Sequence, residues 1–353
     1  MLNGSASNRA QPYARVPVSE SSLPPAGLTW GEYVQRWVDD CGGWLPLADQ
    51  LIHRAGERVE VPSDPQTVER GLRRLARRDH KPGGQYGRWM MRLFGVTSPL
   101  EQWVRWLGTY HARFADLPSG LRLEQLALWN RPPVSESPLA CWIHIGIASA
   151  HHSRLDLTAC EHWLARAERQ ASAAGAAAEI EIALLRAEPA MGRDDHAAAE
   201  ALERAIEALL GHAELPATDE LPYRARLAAL SAARFTRPPT GVAPDLHLAR
   251  AHYAAIPDTA IPFVAFRKSV GLAYCAWKLG DLGEATRLAQ CAIDEAGDGG
   301  LMRMRVMALN MLSRILEGPS AAAVNDRARR MAMALEDEDL LRRVGFCAPA
   351  TPV

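Results

Sequence analysis

The side chains of this sequence best suited to chemistry are arginines gathered in one short run. Between Ser63 and Arg78 the chain reads Asp64-Pro65-Gln66-Thr67-Val68-Glu69-Arg70-Gly71-Leu72-Arg73-Arg74-Leu75-Ala76-Arg77-Arg78. Asp64 is placed to cap a helix, with Pro65 in its first turn. On that helix Val68, Leu72 and Leu75 fall in one apolar stripe. Arg70, Arg74 and Arg77 fall in a second, about 200° around the axis, and Arg73 and Arg78 widen it. From 65 to 92 eight basic residues (these five with Lys81, Arg88 and Arg92) stand against Glu69 and Asp79, a balance of +6. Residues 28–136 as a whole carry 15 basic and 13 acidic groups, so the charge is local. Guanidinium forks fit phosphate oxygens. Near the helix start, Gln66, Thr67 and Arg70 have the donors and acceptors that read base edges. With a short helix expected at 47–55, the arrangement suggests a helix-turn-helix, although residues 56–63 exceed its usual turn. A charged protein-docking surface and a plain solvated face are the alternatives for the same residues.

Other candidate chemistry is thinner. The glycine-rich segment with Lys81, Gly84, Tyr86 and Arg88 lacks the spacing and Lys-Ser/Thr ending of a phosphate-binding P-loop, and reads as a connector. Cys141, His144, His151, His152, Cys160 and His162 crowd together in sequence, but their spacing points them to different sides of helices, and no metal is expected. Glu179 and Glu181 flank Ile180 on an alanine-rich helix, where pairing in solvent accounts for them. The run Glu336-Asp337-Glu338-Asp339 marks a helix junction. No nucleophile elbow, HExxH, kinase set or dinucleotide fingerprint is present, so neither catalysis nor a cofactor is expected.

Composition agrees with a folded protein of this kind. The 353 residues hold 40 basic and 41 acidic groups, a net charge of -1, which excludes a globally basic nucleic-acid coat or an acidic tail. Only Lys81, Lys268 and Lys278 are lysines, leaving 40 - 3 = 37 arginines. Six scattered cysteines do not form a disulfide framework, and no apolar run spans a membrane or forms a secretory core, so the expected compartment is the cytoplasm.

The elements that must position the arginine helix are helical throughout; the only alternating β-branched stretch, Arg58-Val59-Glu60-Val61, is too short for a sheet. Residues 1–27 read as a flexible tail. Residues 28–130 hold seven of the ten tryptophans and form a compact domain of five or six helices, the indoles serving as core. Within it Leu100, Trp103, Val104, Leu107, Tyr110 and Phe114 recur at helical spacing, with Ser98, Pro99 and Glu101 as a capping start. A proline-rich linker occupies 131–138. From 139 to 336 the chain is rich in alanine, leucine and arginine, and 337–353 is a helix end and tail.

In that second part helices come in pairs. Between Phe266 and Gly299, Leu272, Ala273, Gly280, Asp281, Ala285, Ala289 and Ala292 fall in the order of small and large apolar positions around a Gly-Asp turn. This segment resembles a tetratricopeptide repeat, and weaker pairs flank it at 142–173, 182–210, 223–256 and 301–335. The terminal proline of that family is not matched, and the third pair has a longer loop. The resemblance implies an all-α protein whose second part is an α-α superhelical solenoid with a groove for a protein or peptide. The leading expectation is a non-catalytic adaptor. The alternative is a regulator that binds DNA or RNA through residues 65–78 while the solenoid senses a partner.

Overall fold

The structure, a computed structural model, describes residues 30–57, 59–78, 83–96 and 98–345. The tail at 1–27, Lys81 and the capping side chains of Ser98 and Pro99 fall outside the described residues. What is described is an all-α helical solenoid preceded by six short helices, with no strand among these residues. No helix is long and apolar enough to cross a membrane.

The first four helices are α1 (Trp30–Cys41), α2 (Trp44–Ala55), α3 (Pro65–Ala76) and α4 (Gly84–Phe94). The Asp64 carboxylate accepts from the N–H groups of Gln66 (3.3 Å) and Thr67 (2.9 Å), filling two of the donors a helix start leaves open. Val68, Leu72 and Leu75 are buried against α1 and α2. Gly71 completes that face: a Cβ there would lie 1.8 Å from the Tyr86 ring, whose hydroxyl donates to the Thr67 carbonyl (3.3 Å) and ties α4 to α3.

Next come α5 (Ser98–Thr109), a π-helical turn (Tyr110–Phe114) and α6 (Ser119–Trp129). The periodic segment that reads as one helix to residue 116 thus changes winding at Tyr110. A π turn re-aims the side chains that follow it and commonly marks a special site. The buried cluster runs without a break from Trp30 into the solenoid as far as Leu230, with Trp30, Trp89, Trp129 and Trp142 inside it.

The solenoid is five pairs: α7 (Ala140–Ser153) with α8 (Leu157–Ala174), α9 (Ala176–Gly192) with α10 (His196–His212), and α11 (Ala217–Thr236) with α12 (Leu246–Ala254). Then follow α13 (Pro262–Lys278) with α14 (Leu282–Asp298), α15 (Met302–Ile315) with α16 (Gly318–Ala334), and a short α17 (Glu338–Arg343). The first helix of each pair lies inside, and nearly all of α7 is buried. Each inner helix touches the next, and α17 touches both α15 and α7, so the inner row closes on itself. In the α13–α14 pair Ala273, Ala285, Ala289 and Ala292 have no accessible surface and Leu272 is partly buried. Small side chains there let the two axes approach.

Three of the pairs turn in the same way. Leu155, Asp194 and Gly280 adopt φ of 59°, 59° and 88°. The following aspartates, Asp156, Asp195 and Asp281, donate their N–H to the carbonyls of His151, Ala190 and Ala276, each at 3.0 Å. Their carboxylates then cap the next helix at Ala159, Ala198 and Glu284. Glycine reaches this left-handed conformation freely and other residues at a cost. Asp194 is exposed and makes no side-chain contact that would offset it. Asp194→Gly is therefore expected to raise stability by about 0.5–1 kcal/mol, the left-handed penalty less the extra chain entropy of glycine, measured as a higher urea midpoint with an unchanged slope.

Candidate functional site

Two clusters of arginine emerge, one outside and one inside. Gln66, Arg70, Arg73 and Arg74 on α3 are exposed, as are Arg77 at its C-cap and Arg78 just beyond. Thr67 is half-buried, and its hydroxyl is bound to Asp64 (2.5 Å). Arg70 leans on its own helix, donating to the Gln66 carbonyl and to Thr67 Oγ1 (3.3 Å each). Arg73 is held by Glu69 (2.8 Å) and stacks over the Trp44 ring at 4.5 Å. Glu69 is thereby consumed, and among the described residues Arg70, Arg74 and Arg77 form no salt bridge, although Arg70 lies close enough to the capping Asp64 to act on its charge. Arg88 does not join them: it donates to Glu136 (2.5 Å), across the turn that leads into α7, and to Gln85. Gly84 starts α4 at φ 61°, with Arg78 Nη1 beside it.

The histidines and cysteines between 141 and 162 do not converge. Cys141 and Cys160 are buried, His144 Nε2 lies 3.2 Å from Asn130 Oδ1, and His162 is exposed. Among the described residues no three His, Cys, Asp or Glu side chains are arranged to hold a metal ion.

The interior cluster was not foreseen. Residues 110–116 lie within the inner row and touch every member of it. Ser149 on α7 donates to the Ala112 carbonyl (3.3 Å). Arg113 binds Glu181 on α9 (3.2 Å), lies 4.8 Å over Tyr223 of α11 and 5.9 Å over Phe263 of α13. Asp116 accepts from the N–H of Arg303 on α15 (3.2 Å). Glu181, expected to pair in solvent, has no accessible surface and also binds Arg226 of α11 (2.5 Å). Burial pushes its carboxyl up, and Arg226 and Arg113 more than reverse this, so its pKa lies below the ordinary value.

Around this triad Arg122 donates to Ser153 (3.0 Å), Ser149 (2.9 Å) and the His111 carbonyl (2.5 Å). Burial brings its pKa down to about 10, with Arg303 adding to the effect, so it remains charged at neutral pH. Burial also lowers His111 to about 3, again helped by Arg122, which keeps the imidazole neutral. The acidic junction does more than end a helix: Arg303 reaches Asp337 (2.9 Å) and Asp339 (3.2 Å), both buried. No motif signals these residues. The one trace is an arginine set directly among apolar neighbours, as in Ala112-Arg113-Phe114.

No protein-family model matches the chain, and neither the curated proteins nor the solved structures contain a significant match to it.

Two outcomes follow from the interior. Glu181→Gln keeps the shape and leaves two buried guanidiniums without a counter-charge; the expected loss is about 3–5 kcal/mol, read from urea unfolding. Asp116 provides a pH dependence. Burial raises its pKa to about 7, against the pull of the Arg303 and Met302 N–H groups. Between its ordinary value of 3.8 and about 7 the folded protein keeps a proton that the unfolded chain releases. Its contribution to stability is therefore whole at low pH, falls as pH rises through that window, and levels off above it. Asp116→Asn should gain stability relative to the parent as pH goes from 5 to 8, in paired denaturation curves at the two pH values.

Proposed function

We propose that this protein is a non-catalytic regulator that binds nucleic acid through α3, with the paired helices acting as a tetratricopeptide-like sensing part. The observation that carries the proposal is the exposed face of α3, where Arg70, Arg74 and the C-cap residue Arg77 share one side of a capped helix and, among the described residues, form no salt bridge, only the capping Asp64 acting on Arg70. A guanidinium in that position gains most from an external anion. Arg70 to Arg77 covers about 10 Å of helix at 1.5 Å per residue, the reach of about three phosphates at 3.4 Å per step along one strand. The opposite face is fixed by Val68, Leu72, Leu75 and Gly71, so the arginines are presented on a rigid support. Gln66, exposed at the helix start, is the residue placed for base contacts.

Recruitment of a peptide along the inner trough has less support. The inner helices already bury residues 110–116 of the same chain, and what remains is a small polar pocket. The sensing role assigned to the paired helices rests on that interior.

The test is a titration of the full chain with fluorescent duplex DNA and with single-stranded probes from 50 to 200 mM salt. The parent is expected to bind with a steep salt dependence. Arg70→Glu/Arg74→Glu/Arg77→Glu should abolish binding at 150 mM salt. Arg70→Gln/Arg74→Gln/Arg77→Gln should flatten the log–log slope by about 2.7, or 0.9 for each of three phosphates. Flat titrations of the parent at 50 mM salt, or equal slopes for parent and glutamine variant, defeat the proposal.

A further inference from the structure

Guanidiniums crowd together at one place inside the inner row. Arg113 of the π turn, Arg226 of α11, Arg267 of α13 and Arg303 of α15 line a pocket with room for about one water molecule. Its wall is almost wholly polar, and Ser149, His152 and Ser153 of α7 belong to it. The crowding shows in shared contacts. Arg113 and Arg226 bind the same Glu181 carboxylate. Arg113 and Arg267 lie over the same Phe263 ring, at 5.9 Å and 5.3 Å. Arg267 forms no salt bridge among the described residues, and of the charges around it Glu188 acts on it most strongly.

Carboxylates answer these charges only in part. Glu181 holds Arg113 and Arg226, and Asp337 and Asp339 hold Arg303, yet none of the three lies on the pocket wall. Asp339 is also shared with Arg342 (3.3 Å) and Arg343 (2.8 Å) of its own helix. Asp116, raised to about 7 by burial, is only partly ionised at neutral pH. Among the described residues Glu188 is the one carboxylate on the wall, and it is exposed, so water screens much of its field. The balance shows at Arg267. Burial brings its pKa down to about 10; Glu188 pulls against this, and the repulsion of Arg226 and Arg303 adds to it. It is still a cation at neutral pH.

A water molecule suits such a space poorly. Guanidiniums only donate hydrogen bonds, and a water has few acceptor sites and brings no charge. A monatomic anion accepts from several donors at once and offsets the repulsion among them. Phosphate, sulfate and carboxylates are larger than the space allows. We infer that the pocket is a halide site that takes chloride, bound by Arg226, Arg267 and Arg303, with Glu188 opposing its entry from the solvent side. These three arginines come from successive inner helices, so the ion ties the closed row together. This site stands apart from α3 and does not depend on nucleic-acid binding.

The experiment follows thermal unfolding of the full chain in sodium gluconate, whose anion is too large to enter. Sodium chloride then replaces gluconate at constant ionic strength. The melting temperature is expected to rise with the logarithm of chloride concentration once that exceeds the dissociation constant, and bromide should act in the same way. Arg267→Gln should abolish the rise. Glu188→Gln, a change at an exposed side chain, should move its onset to chloride concentrations lower by roughly threefold, the effect of removing a partly screened like charge. Circular dichroism verifies the fold of each variant, and Glu188→Gln decides the matter alone where Arg267→Gln does not fold. The inference is overturned if the parent is indifferent to chloride at constant ionic strength. It is equally overturned if folded Arg267→Gln keeps the parent's response, which would mark halide binding elsewhere, or if Glu188→Gln leaves the onset unchanged or raises it.

Discussion

The architecture depends on one carboxylate, Glu181, clasped between Arg113 and Arg226 with no access to water. Three helical segments meet there: the π turn, α9 and α11. Each ion would be prohibitively costly alone in that environment, and removal of any one strands the others. The triad therefore dictates arrangement more than it adds net stability, because only a backbone that brings residues 113, 181 and 226 together avoids the desolvation cost. Phe114 against Phe263, at 5.8 Å between ring centres, extends the same anchoring to α13.

The consequence is a solenoid wound around part of its own chain. Inner helices of paired-helix proteins leave a trough because their first-helix faces cannot all meet one another. Here residues 110–116 enter that space and convert most of it to packed interior. Polar groups brought in with them must find partners. Arg122 does so through two serines and a carbonyl, and Arg303 through the acidic junction. Arg267 lies over the Phe263 ring and feels the charge of Glu188, which is exposed to solvent.

Much of the local structure was legible from spacing. Val68, Leu72 and Leu75 announce the buried side of α3, Asp64 announces its start, and Gly280-Asp281 announces a turn whose geometry recurs at Leu155-Asp156 and Asp194-Asp195. These are short-range effects, decided within four or five residues. The interior was not legible, for the opposite reason. Glu181 lies 68 residues from Arg113 and 45 from Arg226, so nothing near it in sequence distinguishes it from Glu179. The change of winding at Tyr110 was hidden as well, because the apolar spacing up to Phe114 is compatible with an ordinary α-helix until tertiary contacts pull Arg113 toward Glu181. A long-range partner is the signal, and one sequence does not display it.

The two arginine clusters carry the same functional group under opposite solvation, and that difference separates their roles. Inside, a guanidinium must be answered by a fixed partner or a bound ligand, because water cannot do it. Outside, water answers every charge, and the contribution of any one pair is small. What distinguishes α3 from the many exposed arginines elsewhere is how little internal neutralisation it has, with only the capping Asp64 acting on Arg70. Arg204, Arg224 and Arg287 each meet a glutamate three or four residues away on their own helices. On α3 the one glutamate within that reach, Glu69, is committed to Arg73, and the next two turns add only positive charge. A surface helix shaped only for solubility gains from interspersed signs. One that keeps three cations aligned, on a face held rigid by Gly71 and Tyr86, retains self-repulsion that an arriving polyanion relieves. The same reasoning explains why Arg88, counted with that basic run in the sequence but tied to Glu136 in the structure, contributes to anchoring α4 and not to that face.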